Sequence, residues 1–180
     1  MGKNVLIITS SLRDNSNSDT LAASFAEGAR EAGNNVETIS LKDKAINFCM
    51  GCMVCQGTLE CVIEDDAISI AEKAKAADVL VFVSPVYYYS ISGQLKTLLD
   101  RLNPIYPSAY NFRDVYFLAT AADEDESAVE GPVKAIEGWV ECFEKARLAG
   151  TVFCGGVDGE GEIKGHKALD KAREMGKAIG

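Results

Sequence analysis

KNVLIITSSLRDNSNSDT, residues Lys3 to Thr20, sets the architecture of the chain. Val5-Leu6-Ile7-Ile8 is an unbroken apolar run rich in β-branched side chains, which suits a strand buried on both faces of a parallel sheet. The run gives way to Ser, Asn, Thr and one Arg, and Asp19 and Thr20 open an apolar-periodic helix. A strand that enters a helix through small hydroxyl side chains leaves backbone N–H groups and the positive end of the helix dipole free for an anion. Arg13 adds a planar fork matched to phosphate oxygens. An ordinary capped loop shares part of this composition. The convergence of hydroxyls, amides and Arg on one loop favours phosphate. The loop contains neither Gly-x-Gly-x-x-Gly nor Gly-Lys-Ser/Thr, so it is neither a dinucleotide fingerprint nor a Walker loop.

Downstream, Leu21, Phe25, Ala29 and Ala32 recur at helical spacing until Gly33-Asn34-Asn35. Val36–Leu41 alternates as an edge strand. Asp65 and Asp66 cap a helix with Ala67, Ile70, Ala71 and Ala74 inward. Asp78–Ser84 (DVLVFVS) is the strongest strand signal, and Pro85–Ser90 reads as the loop after it. Leu95, Leu98, Leu99 and Leu102 form a helical stripe. Val115–Ala121 is a fourth strand, followed by a helix with Val129, Val133, Ile136, Val140 and Phe143 inward. Thr151–Cys154 is a fifth strand, and Ala168, Ala172, Met175 and Ile179 mark a last helix. Alternating strands and helices predict one α/β domain over residues 1–180, a three-layer doubly wound fold. Five parallel strands fit the flavodoxin-like order 2-1-3-4-5, which places a ligand above the carboxyl ends of strands 1 and 3. Ser10–Ser18 and Pro85–Ser90 both fall at those ends.

The 180 residues are 47% hydrophobic, enough for a core of one domain. A net charge of −9 argues against a nucleic-acid partner. No apolar run reaches bilayer length, and the N-terminus lacks a signal-peptide pattern. Leu6 stands where an N-myristoylation motif needs Ser or Thr. A cytoplasmic protein without membrane attachment is expected. There, six cysteines read better as metal ligands or redox groups than as structural disulfides.

Pro85 followed by Tyr87, Tyr88 and Tyr89 offers rings and backbone amides to a flat conjugated ligand. Tyrosine clusters usually pack half-buried. Opposite a phosphate site, however, a planar ring describes a mononucleotide such as FMN. Cys49-Met-Gly-Cys52-Met-Val-Cys55-Gln-Gly-Thr-Leu-Glu-Cys61 spells C-x2-C-x2-C-x5-C. Three thiolates at this spacing with a fourth beyond can close around a 4Fe–4S cluster. Zinc sites normally use two separated pairs. Free or disulfide-linked thiols lining a substrate site remain the alternative.

SSLRDNSNS resembles the Ser-x-Arg-x-x-(Gly/Ser)-Asn-(Ser/Thr) phosphate loop of flavodoxin-like NAD(P)H-dependent FMN reductases. SPVYYYSISGQLKTLLDR resembles their second signature, Ser-Pro-x-Tyr leading into Leu-Lys-x-x-x-Asp-Arg. The resemblance implies that Ser11, Arg13, Asn17 and Ser18 hold the FMN phosphate and that Pro85, Val86, Tyr87 and Tyr88 contact the ribityl chain and ring. Ala122 and Asp123 would approach the ring from the other side. The cysteine spacing resembles the iron–sulfur flavoprotein branch, which implies Cys49, Cys52, Cys55 and Cys61 as 4Fe–4S ligands beside the flavin. The resemblance further implies an FMN-dependent oxidoreductase reduced by NAD(P)H or a ferredoxin-like donor. Its acceptor would be a small molecule such as a quinone, nitro compound or free flavin, or a protein. A homodimer or homotetramer is implied as well, and a non-catalytic flavin module is a third possibility. No catalytic acid or base is assigned.

Other features read plainly. His166, the only histidine, is expected in solvent at a helix start, which disfavours a Ser/His/Asp hydrolase. Cys142 and Cys154 read as buried small hydrophobes. Asp123–Glu126 reads as helix capping. Lys96, Asp100 and Arg101 read as structural. The glycine-rich stretch Gly155–Gly161 matches no defined motif and receives no role.

Overall fold

Val5 and Ile7 of β1 (Asn4–Thr9) pack into one apolar layer, while Leu6 and Ile8 pack into the layer on the opposite face. Both layers are closed to solvent, which is why this strand has no polar alternation. In the computed structural model, which describes residues 2–180, the chain continues as α1 (Asn17–Glu31), β2 (Asn35–Ser40), α2 (Val54–Thr58) and α3 (Asp66–Ala76). β3 (Val79–Tyr87), β4 (Ser90–Ile91), α4 (Gly93–Arg101), β5 (Asp114–Thr120), α5 (Glu130–Val140), β6 (Arg147–Cys154) and α6 (Lys167–Lys177) follow.

The parallel path runs β2-β1-β3-β5-β6, which is the expected 2-1-3-4-5 order for the five long strands. β2 is the exposed edge strand expected from its alternation. A sixth strand, the two-residue β4, adds an antiparallel pairing to the tip of β3. It arises because Pro85-Val86-Tyr87 extends β3 instead of forming a loop, and the chain folds straight back. Among the described residues no helix is long and apolar enough to cross a membrane.

α1 and α6 cover one face of the sheet over Phe25, Val81, Val83 and Leu118; α3, α4 and α5 cover the other over Phe82, Phe117, Leu95 and Ile136. Full burial of each such side chain contributes about 1.5–3 kcal/mol. α1 and α6 touch backbone to backbone. A Cβ on Gly176 would lie 2.1 Å from the Phe25 carbonyl oxygen, so glycine alone permits the contact.

β1 pairs with β2 on one side and β3 on the other, so the connections leave its carboxyl end in opposite directions. Buried hydroxyls pin this crevice. Ser10 Oγ donates to the Val83 carbonyl (3.0 Å), Ser92 Oγ donates to Ser10 Oγ (2.8 Å), and the Ser92 N–H donates to Ser84 Oγ (2.9 Å). Ser92 also caps α4. These bonds tie both strand ends to the helix beneath the ligand edge.

Candidate flavin and thiol sites

α1 starts two residues earlier than the sequence predicts. Ser16 is its N-cap, accepting from the Asp19 N–H (3.0 Å), while its hydroxyl donates to the Asp19 carboxylate (2.8 Å). The N–H groups of Asn17 and Ser18 fall in the first turn, where a helix supplies no acceptor. Above them opens a cleft of about 630 Å³, within the usual range for small-molecule sites. Ser11, Arg13, Asn17 and Ser18 from the loop after β1 and the start of α1 line it, as do Pro85, Val86, Tyr87 and Tyr88 from the end of β3 and Ala122 from just after β5. The fold thus brings together nine of the ten residues expected at the flavin site. Asp123 stands at the rim instead, accepting from the Tyr89 hydroxyl (3.2 Å) and the Asp125 N–H (3.0 Å).

Several of these groups already have partners. The Asn17 amide donates to the Gly159 carbonyl (2.9 Å), and its Oδ1 accepts from the Ile163 N–H (3.2 Å). Ser18 Oγ pairs with Thr120 Oγ1 at 2.7 Å. The half-exposed Arg13 guanidinium donates to the Asp158 carbonyl (2.6 Å) and lies 3.9 Å from its carboxylate. Ser16, Thr120, Ala121 and Val157–Glu160 also line the cleft, and the sequence reading assigned none of them to it. A loop after a parallel strand's carboxyl end always reaches this edge, so the position of Gly155–Gly161 after β6 was the available signal.

The tyrosines form a two-residue hairpin. Tyr88 and Tyr89 have φ of 49° and 57°, the left-handed pair of a type I′ turn, a position bulky side chains rarely take. Such strain persists only where the surroundings enforce it. Here the β3–β4 pairing and the Tyr89–Asp123 bond enforce it. A Cβ on Gly131 would lie 2.2 Å from the Tyr89 carbonyl oxygen, so α5 leaves room for the turn. The Tyr88 ring stands fully in solvent at the cleft mouth.

Arg101 confirms the structural reading. Its buried guanidinium forms a two-pronged pair with Asp65 (2.6 and 2.9 Å) and donates to the carbonyls of Asn47 (2.8 Å) and Ile63 (3.0 Å). Asn47 and Ile63 flank the cysteine stretch, so one side chain closes its stem. Burial alone would raise the Asp65 pKa. Arg101 and the N–H groups of Asn47 and Ala67 outweigh that and hold it at about 2. A depressed carboxylate stabilises the fold above its unfolded pKa of 3.8 and loses that contribution as pH falls towards about 2. Urea titrations are expected to lose about 2 kcal/mol between pH 5 and 2 through this group. A flat profile over that window would contradict the pairing.

Within the closed stem, Cys49 and Cys52 are exposed, Cys55 is buried and Cys61 half-buried, all with free thiols. Gly51, Met53 and Leu59, all at positive φ, bend the chain between them. The Gly51 N–H donates to Cys49 Sγ (3.4 Å), Asn103 Nδ2 donates to Cys55 Sγ (3.2 Å), and Cys61 lies beside the Arg101 guanidinium. Donors aimed at sulfur suit iron–sulfur thiolates. The expected four-cysteine ligand set is nevertheless not assembled: among the described residues no three His, Cys, Asp or Glu side chains are grouped to hold a metal. Cys55 turns inward on α2 while Cys49 and Cys52 remain outside, so the spacing supplies the thiols without converging them.

Two smaller expectations change. Cys142 is exposed at the end of α5. His166 is half-buried and caps α6, its Nδ1 accepting from the Ala168 N–H (3.1 Å) and lying 3.3 Å from Cys154 Sγ. Burial pushes the Cys154 thiol up to about 11, consistent with an inert buried group.

The family model for NADPH-dependent FMN reductases matches residues 3–130. The chain belongs to that family. An iron-sulfur flavoprotein of Methanocaldococcus jannaschii is 40% identical over 101 residues, covering 56% of this chain and 52% of that protein, about half its length. An iron-sulfur flavoprotein of Archaeoglobus fulgidus is 29% identical over 175 residues, 96% of this chain and 76% of that one. Among solved structures, an NAD(P)H:quinone oxidoreductase from Methanothermobacter marburgensis superposes with a TM-score of 0.75 at 18% identity, covering each chain fully. In this FMN reductase-family chain, residues 3–130 include every element that contributes to the cleft except the Val157–Glu160 loop.

Proposed function

We propose that residues 1–180 form one FMN-binding domain of an FMN-dependent oxidoreductase that takes electrons from NAD(P)H and delivers them to a small acceptor such as a quinone or azo compound. The observation that carries this reading is the cleft, where the anion-binding turn of α1 and the strained tyrosine hairpin face one space. The residues fit FMN. Ser11, Ser18, Arg13 and the free N–H groups of Asn17 and Ser18 suit a terminal phosphate. Pro85–Tyr88 and Ala122 offer a flat wall to the ring. Bound FMN supplies the hydride and single-electron chemistry. The chain's share is to bind and orient: the hydroxyl seam beneath the crevice fixes both strand ends, and the hairpin keeps Tyr88 at the open face. No side chain is assigned as acid or base.

The test is anaerobic NAD(P)H oxidation by FMN-loaded protein with quinone, azo and nitro acceptors. Acceptor-dependent turnover of bound flavin is expected; no turnover with either nicotinamide would leave a ferredoxin-like donor or a non-catalytic flavin module. We infer a cytoplasmic homo-oligomer. Exposed Phe48, Met50, Met53 and Val54 on the cysteine loop supply apolar surface that a second subunit would cover, and sedimentation of the holoprotein reads that state.

A second reading adds a 4Fe–4S cluster on Cys49, Cys52, Cys55 and Cys61, which requires the loop to draw together thiols that stand apart in this structure; the relatives' names and the N–H donors aimed at sulfur support it. It would supply one-electron transfer. Replacement of Cys52 by Ser is expected to abolish iron in anaerobically reconstituted protein while FMN stays bound. Undiminished iron in that variant would remove the assignment.

A further inference from the structure

The Val157–Glu160 loop lies directly on the phosphate loop, joined to it by the Arg13–Asp158 and Asn17–Gly159 bonds. It is also tied to the residue just after β5 through the Val157 N–H, which donates to the Ala121 carbonyl (2.9 Å). The backbone groups of Asp158 and Gly159 within it are already committed. The N–H groups of Asp158 and Gly159 both donate to Glu162 Oε2 at 2.8 Å, and their carbonyls accept from Arg13 and Asn17. Those two N–H bonds hold the Glu162 carboxyl below its ordinary value, so the brace is ionised at neutral pH. Asp158 and Glu160 line the cleft and add two carboxylates to this wall. One wall of the site therefore offers N–H groups, hydroxyls and Arg13 to an anion, and the wall resting on it presents two carboxylates.

We propose that Asp158 and Glu160 set cofactor specificity, admitting a flavin that ends in a single phosphate and rejecting the pyrophosphate-linked adenylate of FAD. The inference rests on the FMN reading of the cleft. A terminal phosphate reaches the N–H groups and hydroxyls of α1's first turn and competes with Asp158 for Arg13. A second phosphate would extend against two carboxylates with no N–H of Asp158 or Gly159 to receive it, an exclusion by charge rather than by bulk. Glu162 is a positioning residue that keeps those N–H groups turned from the ligand.

The test is equilibrium titration of flavin-free full-length protein with FMN and FAD, followed by flavin fluorescence at two salt concentrations. The parent is expected to prefer FMN by about 100-fold or more, and the preference should weaken as salt screens the carboxylates. In the Asp158→Asn, Glu160→Gln double variant the FMN:FAD ratio is expected to fall by about tenfold or more, through tighter FAD binding. Retained FMN binding shows that this variant is folded. Glu162→Ala, which releases two N–H donors, should move the ratio in the same direction. An unchanged ratio in both variants overturns the inference, as does a parent that binds the two flavins equally, and both results leave the FMN reading intact. A parent that binds neither flavin removes the FMN reading and this inference with it.

Discussion

Replacement of Arg101 by Leu is expected to lower the unfolding free energy by about 3–5 kcal/mol, read as a shift in the urea midpoint. The guanidinium is wholly enclosed and meets Asp65 through two parallel bonds. Its removal leaves the Asp65 carboxylate, whose side chain is 3% exposed, without a counter-charge. It also strips donors from the carbonyls of Asn47 and Ile63. Combining the change with Asp65→Asn should recover a large part of the loss, because Asn can still accept from the Ala67 N–H and no buried charge remains. The low-pH loss of stability assigned to Asp65 should disappear in Arg101→Leu. A midpoint shift below about 0.5 kcal/mol would mean that the pair is exposed to water and worth no more than a surface bridge. Because Arg101 closes the stem on both sides of the cysteine stretch, the variant should also speed thiol labelling of Cys55.

Replacement of Arg13 by Ala has the opposite character, with a large effect on ligand and a small one on the fold. FMN affinity is expected to fall by about 1.5–3 kcal/mol, roughly 10- to 150-fold, which is typical of a charge-assisted hydrogen bond. The guanidinium is 55% exposed and its ion pair with Asp158 is long, so the unfolding free energy should move by less than about 0.5 kcal/mol. The salt dependence of FMN binding should shrink as one cation leaves the site. Riboflavin, which lacks the phosphate, should bind parent and variant alike. An equal loss for riboflavin would place Arg13 at the ring rather than at the phosphate.

What could be read from the chain depended on whether a residue acts through its type or through its place. Val5–Ile8 and Val79–Val83 declare buried parallel strands because every side chain is apolar, and the hydroxyls and Arg of Ser11–Ser18 mark that loop as a candidate anion site that the fold brings to the cleft. The hairpin at Tyr88-Tyr89 was hidden because type I′ turns ordinarily carry Asn or Gly at their positive-φ positions. Tyrosines there read as a loop. The Asp158–Glu160 wall was hidden because it joins the phosphate loop through its backbone carbonyls, which leave no mark on a sequence. Asp65 and Arg101 are 36 positions apart, and only the packing of α4 against the start of α3 reveals them as a pair. For the cysteines, spacing stated how many thiols one stretch offers, while the left-handed turns at Gly51, Met53 and Leu59 decided where they point.

The most direct test of the account is a crystal structure of the protein soaked with FMN. The phosphate should accept hydrogen bonds from the first turn of α1 and from Arg13, with the isoalloxazine against Pro85–Tyr88 and Ala122 and Tyr88 at its open face. FMN bound outside this cleft, or inside it with the phosphate turned towards the tyrosine hairpin, would contradict the assignment of both walls.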